Sequence, residues 1–382
     1  MTGQFSFSFG GDDIDEEEQT TRADPALERH SSATGQQQSS PAGAASAFPV
    51  QGKPLLPPTP HGLDWMLSRL PSRVAYNTLA VDLDGKAVVH LPRRELWDVR
   101  VQLMAEEEQQ EAEARDDSEL EPGLGKHDVK TGIYEGGFKS WESSVDLVKV
   151  LASEGFSTAL AEGPCRVIEL GCGTGLPSLA LFQWATATAH SGQKVSLDLI
   201  LADYNPTVLY LVTLPNFIIS WALQSRETNE LVQEALSADD GELEITPELV
   251  EAFKSFLIAS HISLSFCSGA WSSEFVELLY SSASGTSHSN GLQTLILGAE
   301  TIYSPYALAS FSDTVLSILQ REKSDRPEGR AAAIVGAKKL YFGVGGSLDD
   351  FVERMRSLGT TVDTLREEVD GVRRGVVRCV AS

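Results

Sequence analysis

Val167-Ile-Glu-Leu-Gly171-Cys-Gly173-Thr-Gly175-Leu is the stretch on which the fold turns. An apolar run of strand length ends in a loop with glycine at alternate positions, and a helical pattern follows from Leu176. Glycines in such a loop let the backbone turn sharply and approach a ligand with no Cβ in the way. The next apolar run, Leu197-Asp-Leu-Ile-Leu-Ala-Asp203, ends in an acid that can accept hydrogen bonds from both hydroxyls of a ribose. Strand, loop, helix, strand and acid in that order place a nucleoside at the carboxyl ends of parallel strands, at a topological switch.

Two cofactor classes suit that geometry. The dinucleotide fingerprint is G-x-G-x-x-G, with a pyrophosphate seated on the helix N-terminus. Here the order is G-x-G-x-G, and Glu169 stands two residues before the first glycine. A carboxylate there repels a pyrophosphate but suits a cationic amino-acid moiety. S-adenosyl-L-methionine carries a ribose, an adenine, a sulfonium and an ammonium, and no phosphate. The spacing therefore favours it over a nicotinamide dinucleotide.

Working outward, apolar runs of strand length alternate with helical patterns from residue 127 to the C-terminus. Strands are predicted at 166–170, 195–202, 262–267, 294–297, 332–335, 361–365 and 375–380. Helices are predicted at 142–152, 176–186, 206–223, 273–280, 306–319 and 347–358. This alternation means βαβ units and a largely parallel sheet covered on both faces. Only residues 367–374 separate the last two strands, too few for a helical crossover, so these should pair antiparallel at the sheet edge. Segments 224–260 and 281–291 read as insertions carrying polar loops and one extra helix. Upstream, residues 61–126 form an N-terminal extension. It has a short helix from Leu63, strands at 74–81 and 87–91 around Asp84-Gly85, and a helix beginning near Pro92 that runs into an acidic block. Residues 1–60 read as a disordered tail, because Pro49, Pro54, Pro57, Pro58 and Pro60 and the Ser- and Gln-rich stretch before them leave little apolar surface to offset chain ordering.

The 382 residues are 42% hydrophobic and carry a net charge of −24. That balance argues against duplex nucleic-acid binding, which needs clustered Lys and Arg to neutralise phosphates. It suits a basic protein partner. Residues 1–30 (net −6) and 106–121 (net −8) hold more than half of the charge, and such blocks are ordinarily solvated. Four cysteines, at 165, 172, 267 and 379, show neither C-x-x-C spacing nor a histidine cluster, so no metal site and no disulfide scaffold is expected. No apolar run reaches membrane-span length, and no signal-peptide pattern opens the chain. The expectation is a soluble, intracellular protein.

Three further stretches fall where ligand-facing residues belong. Gly132-Ile-Tyr-Glu-Gly-Gly-Phe-Lys-Ser-Trp141-Glu142 precedes an amphipathic helix. Ser268-Gly269-Ala-Trp271 follows the third strand of the order above, and Ala299-Glu300-Thr-Ile-Tyr303 follows the fourth. Polar and aromatic residues directly after parallel strands lie on the ligand face. The candidate cofactor set is therefore Lys139, Ser140, Trp141, Glu169, Gly171, Cys172, Gly173, Gly175, Asp203, Tyr204, Asn205, Gly269, Ala270, Trp271 and Ala299. Asp203 is the ribose ligand, with Tyr204 and Asn205 beside the adenine edge. Trp141, Trp271 and Tyr303 are the aromatics suited to wall a sulfonium, whose charge favours an aromatic face. Core packing competes for each of these three.

With those residues in view, the chain resembles the protein-histidine methyltransferases of the seven-β-strand class. The matching segments are Arg94-Glu-Leu-Trp-Asp-Val-Arg-Val-Gln-Leu-Met104, Ile133-Tyr-Glu-Gly-Gly-Phe-Lys-Ser-Trp-Glu142, Glu169-Leu-Gly-Cys-Gly-Thr-Gly175, Asp203-Tyr-Asn205, Val212-Thr-Leu-Pro-Asn216, Ser268-Gly-Ala-Trp271, Glu300-Thr-Ile-Tyr303, Tyr341-Phe-Gly-Val-Gly-Gly346 and the opening Phe5-Ser-Phe-Ser-Phe-Gly10. The resemblance covers roughly residues 92–382 and the first ten. It implies an α/β fold built on a seven-stranded, Rossmann-like class I methyltransferase sheet with helices on both faces. It also implies methyl transfer from S-adenosyl-L-methionine to a histidine ring nitrogen of a large-subunit ribosomal protein, in the cytoplasm and nucleus. Ala299 departs from a common Ser and Ser143 from a common Cys.

The chemistry needs alignment, a neutral imidazole and a sink for the proton on its other nitrogen. A carboxylate on that nitrogen fixes the tautomer and stabilises the developing imidazolium. Glu300 is the first candidate, Glu142 the second, and Tyr303 completes the catalytic set. An ordinary ion pair is the competing reading for either carboxylate. A lysine methyltransferase of the same fold, and a non-catalytic module that keeps the fold alone, are the alternatives.

Overall fold

The computed structural model describes Pro49, Gly52 and residues 54–113, 136–236, 241–281 and 291–382. The Phe5–Gly10 motif, the acidic stretch 1–30, the second half (114–121) of the acidic stretch 106–121 and the Tyr134-Glu135 pair lie outside the described residues.

The centre of the fold is β4 (Cys165–Leu170), an apolar run buried at all six positions. It pairs in parallel with β5 (Leu197–Asp203) on one side and β8 (Gln293–Ala299) on the other. Beyond β5 lies β7 (Ile262–Ser268), and beyond β8 lies β9 (Arg330–Lys338), both parallel to their neighbours. Burial on both faces explains why these strands read as near-continuous apolar runs. The order reverses at β4, so the crevice at the carboxyl ends of β4, β5 and β8 is the switch point expected to take a ligand. The closing strands β10 (Thr360–Glu368) and β11 (Arg374–Ala381) pair antiparallel as expected, with β11 inserted against β9 and β10 at the edge.

Seven strands match the expected sheet, and an eighth is added. β1 (Thr59–His61) pairs antiparallel with β7, so the order is β1-β7-β5-β4-β8-β9-β11-β10. This corrects the reading of residues 1–60 as disordered throughout. Pro57, Pro58 and Pro60 exclude an interior strand but not an edge one, and β1 covers an edge of β7 that would otherwise be open.

Helices cover both faces. On one side pack α3 (Glu142–Ser153), α5 (Leu176–His190) and α6, which runs from Pro206 to Ser225 through a π-turn at Leu209–Thr213. They share a core with Val167, Leu199, Leu201, Leu297 and Ile334. On the other side α9 (Ser273–Ser281), α10 (Pro305–Asp325) and α11 (Leu348–Ser357) pack on Ile168, Leu170, Ile200, Ile296 and Val335. Alternate residues of each strand thus feed opposite cores, as the period of two requires. Contrary to the expectation from sequence, the stretch 206–225 is long and apolar enough to cross a membrane, but 89% of its most apolar window is buried in the core.

The extension contributes α1 (Leu63–Ser68), β2 (Arg73–Asp82), β3 (Val88–Arg94) and α2 (Leu96–Glu113). α2 begins at Leu96 rather than near Pro92, because Pro92 lies in β3, the edge strand of a small sheet β3-β2-β6 where a missing N–H is tolerated. Its third strand, β6 (Glu242–Glu244), comes from the 224–260 insertion. That insertion also carries two helices, α7 (Glu230–Ala235) and α8 (Pro247–Ala259), where one was expected. Met66, Leu67, Val74, Leu91, Val99 and Leu103 join the same core as α5 and α6. One short helix, α4 (Phe156–Ala159), links α3 to β4.

Candidate active site

The glycine loop leaves β4 with Gly171, Gly173 and Gly175 all at positive φ. At Gly171 the conformation is also sterically closed to other residues, since a Cβ would sit 2.7 Å from Thr301 Cγ2. The loop is braced from α6. The Thr213 hydroxyl donates to Gly173 O at 2.6 Å, and Asn216 Nδ2 donates to Thr174 O at 2.9 Å. Thr213 ends the π-turn, a feature that recurs at functional sites because it shifts the register of a helix face. Asn216 Oδ1 in turn accepts the Arg94 amide at 2.7 Å, and the Arg94 side chain reaches Asp98, Gln102 and Leu211 O. The extension therefore holds the brace that holds the loop, which gives the 94–104 and 212–216 segments a physical purpose.

Asp203 ends β5 beside that loop. Its Oδ2 accepts from Gly173 N at 3.0 Å and its Oδ1 from Asn205 N at 3.1 Å. Burial still pushes its pKa up against those two donors. Glu169 is fully buried beneath the loop, and its Oε2 accepts from Ser178 N in the first turn of α5 at 3.0 Å. This anchors the helix N-terminus, where negative charge is favoured. Burial raises the Glu169 pKa to about 7, with the neighbouring Asp203 charge adding to the rise. Cys172 lies inside the loop, buried, its thiol raised well above the ordinary value by burial. Two desolvated carboxylates so close together disfavour a pyrophosphate and suit a cationic ligand.

The side of the crevice at Tyr204 and Gly269 is closed by a neighbour that sequence reasoning missed. Leu56 N donates to the Tyr204 hydroxyl at 3.0 Å, and Ala270 N donates to Leu56 O at 2.9 Å. A Cβ on Gly269 would fall 2.3 Å from Pro57 O. Gly269 is therefore glycine for the sake of the 54–58 segment, whatever else it contacts. Asn205 spends its side chain capping α6, accepting from Thr207 N at 3.0 Å. Trp271 packs edge-on against Phe311, with ring centroids 5.4 Å apart, and its ring edge is 3.7 Å from where a Gly171 Cβ would be.

Across the loop, Ser140 and Thr174 share a hydrogen bond at 3.1 Å, and Trp141 Nε1 donates to Gly136 O at 2.9 Å. Lys139 lies in the same turn, which leans over Gly173: a Cβ there would meet Gly137 O at 3.3 Å. Glu300 follows Ala299 at the end of β8 with φ +57°, unusual for a non-glycine residue. One of its carboxylate oxygens accepts from the Ser143 hydroxyl and the other from the Tyr341 hydroxyl. Burial raises its pKa, against the pull of those two donors and of Lys338 and Arg374. The Lys338 ammonium lies 5.4 Å from the Trp141 ring centroid and 5.9 Å from that of Tyr341. Glu142 is instead in an ion pair with Arg374 at 3.0 Å, and Arg374 also binds Asp146 at 2.8 Å. Of the two candidate carboxylates, Glu142 thus takes the ion-pair reading. Tyr303 is partly buried against the same core cluster as Trp271, and its carbonyl accepts from Gly346 N at 3.2 Å.

The structure thus gathers the loop, Asp203, Ser140, Trp141, Trp271 and Glu300 at one end of the sheet. The sequence reading did not single out Ser143, Tyr341, Thr213, Asn216, Arg94 and Leu56 as site residues. The family-like segments contained Tyr341, Thr213, Asn216 and Arg94, but no spacing rule reveals their partners.

No protein-family model matches the chain. It is 30% identical to Histidine protein methyltransferase 1 of Saccharomyces cerevisiae over 385 residues, 98% of this chain and 97% of that protein. It is 30% identical to Histidine protein methyltransferase 1 of Schizosaccharomyces pombe over 318 residues, 82% of this chain and 83% of that one. Among solved structures, the N-terminal domain of human METTL16 in complex with SAH overlaps 63% of this chain and 70% of its own, at 10% identity and a TM-score of 0.32. That likeness is slight, and the strand order stands without it. Similarity along nearly the whole length of the budding-yeast protein decides the matter: the chain belongs to the histidine protein methyltransferase 1 family.

Proposed function

We propose that this chain methylates a ring nitrogen of a histidine in a basic, large-subunit ribosomal protein, with S-adenosyl-L-methionine as methyl donor, in the cytoplasm and nucleus. The observation that carries the chemistry is Glu300, a carboxylate at the mouth of the β4–β8 crevice with both oxygens held by hydroxyl donors. Asp203 would hold the ribose hydroxyls, Glu169 and the glycine loop the amino-acid end, and Trp141 and Trp271 the apolar walls. When bound, S-adenosyl-L-methionine supplies an electrophilic methyl group. Glu300 accepts the proton from the imidazole nitrogen opposite the one that is methylated, which keeps the reacting nitrogen's lone pair free and leaves a neutral product ring. Family membership favours histidine over lysine as acceptor. The net charge of −24 favours a basic partner through long-range attraction.

The test is incubation of the purified enzyme with labelled S-adenosyl-L-methionine and separated ribosomal proteins, followed by mass spectrometry of the labelled peptide. A methyl group on a histidine ring is expected. Label confined to lysine, or none in any ribosomal protein, would overturn the substrate assignment.

A further inference from the structure

The segment that follows β9, Leu340-Tyr341-Phe342-Gly343-Val344, places apolar side chains in water beside the reacting carboxylate. Phe342 is 85% exposed, and Leu340 and Val344 are each about half exposed, whereas Tyr341 between them is buried. The loop is fastened at its base. Tyr341 N donates to Gly346 O at 3.0 Å, Gly345 N to Tyr341 O at 3.2 Å, and Gly346 N to Tyr303 O at 3.2 Å. Gly346 lies so near the Ile302 carbonyl that a Cβ would come within 2.1 Å of its oxygen. Such a loop is pinned to the Glu300–Tyr303 segment, and it still forgoes burying a Phe side chain, a term of about 1.5–3 kcal/mol. Clusters of exposed apolar groups on a soluble surface mark interaction sites.

We infer that Leu340, Phe342 and Val344 form the docking face for the histidine-bearing segment of the protein substrate, which places an apolar side chain next to its histidine. The inference rests on the methyl-transfer reading above. Two observations commit the surface to that occupant. The first is continuity: the Tyr341 hydroxyl is bonded to Glu300, and Phe342 is the next residue, with Cα atoms about 3.8 Å apart. A peptide whose histidine reaches Glu300 therefore comes within reach of this loop. The second is charge: the flanks carry Asp349, Glu367 and Glu142, each paired to a single Lys339 or Arg374. Lys339 is shared between Asp349 and Glu367, and Arg374 between Glu142 and Asp146, so these four carboxylates still outnumber the two bases and the Lys338 ammonium beside Tyr341 by one, a negative balance for basic residues beside the histidine. The apolar loop gives the register and the acidic flanks the attraction.

The test compares wild type with Phe342→Ser, Val344→Ser and Phe342→Leu on the substrate protein found by labelling. The two serine variants should raise KM for that protein about fivefold or more, with kcat, affinity for S-adenosyl-L-methionine and Tm unchanged. Phe342→Leu should recover most of the loss. Unchanged KM in both serine variants would overturn the docking face, and so would a fall in Tm or cofactor affinity that accounted for the whole loss. A wild type that modifies no protein histidine would overturn the activity itself and this face with it, a result visible before any variant is compared.

Discussion

Glu300 concentrates the argument at the scale of single residues. Its φ of +57° places an L-residue in a region that costs roughly 1–3 kcal/mol, which persists only where surrounding bonds over-determine it. Here they do: its amide donates to Gly336 O at 3.0 Å, and its two oxygens take hydroxyls from α3 and from the loop after β9. Burial raises its pKa and the Ser143 and Tyr341 hydroxyls pull it back. Removing one donor therefore lets the pKa climb. Tyr341→Phe should shift the acidic limb of the kcat–pH profile to higher pH by about one unit, the scale of a lost charge-assisted hydrogen bond. Cofactor affinity should not change. Glu300→Gln should abolish that limb. A profile that Tyr341→Phe leaves in place would mean that another group titrates. Glu300 was legible in the sequence because it directly follows a strand on the ligand face. Its two partners were not, since they stand 157 and 41 residues away and hydroxyl–carboxylate contacts leave no periodic trace.

Among the elements, β1 shows where composition misleads. Its neighbourhood has four prolines between 54 and 60 and little apolar content, which ordinarily means an unstructured chain. The segment is ordered by what it meets instead: three residue pairs along β7, the Tyr204 hydroxyl, the Ala270 amide, and a gap that exists because residue 269 has no side chain. Edge pairing of this kind satisfies backbone groups without a hydrophobic signature. The same reason hid β6 inside an insertion, since three residues paired to β2 carry no alternation long enough to read. Gly269→Ala forces a Cβ to within 2.3 Å of Pro57 O at a φ of +110°, so the segment must move. Hydrogen exchange at the Leu56 and His61 amides should accelerate at least tenfold, while amides of β4 and β5 keep their protection. Equal protection at Leu56 in both proteins would show that β1 is held by other means.

For the molecule as a whole, the alternation of strand and helix patterns fixed the parallel sheet in advance, because each buried strand had to be apolar on both faces. The energetic consequence of the site was not readable there, since it depends on burial. Glu169, Asp203 and Glu300 all have pKa values raised by burial, with Glu169 at about 7. A carboxyl group whose folded pKa exceeds its unfolded value takes up its proton first in the folded state. Between about pH 4.5 and 7 the folded chain then binds more protons, and stability falls as pH rises through that window. Ion-paired carboxyls act in the opposite sense and lower down. The Arg366 hydrogen bond holds Asp84 below its ordinary value, and Arg326 does so for Glu322 despite burial, so their contributions are lost only at more acidic pH. The cofactor-free enzyme should therefore lose about 1 kcal/mol or more between pH 5.5 and 7.5 in denaturant titrations, on the scale of one shifted pKa unit. Glu169→Gln keeps an acceptor for Ser178 N and removes the charge, so it should flatten most of that slope. A sulfonium and an ammonium favour the ionised carboxylates, so S-adenosyl-L-methionine should stabilise the protein more at pH 7.5 than at 5.5. A slope of the opposite sign in the wild type, or a cofactor effect equal at both pH values, would mean that these carboxylates are not poised for a cation.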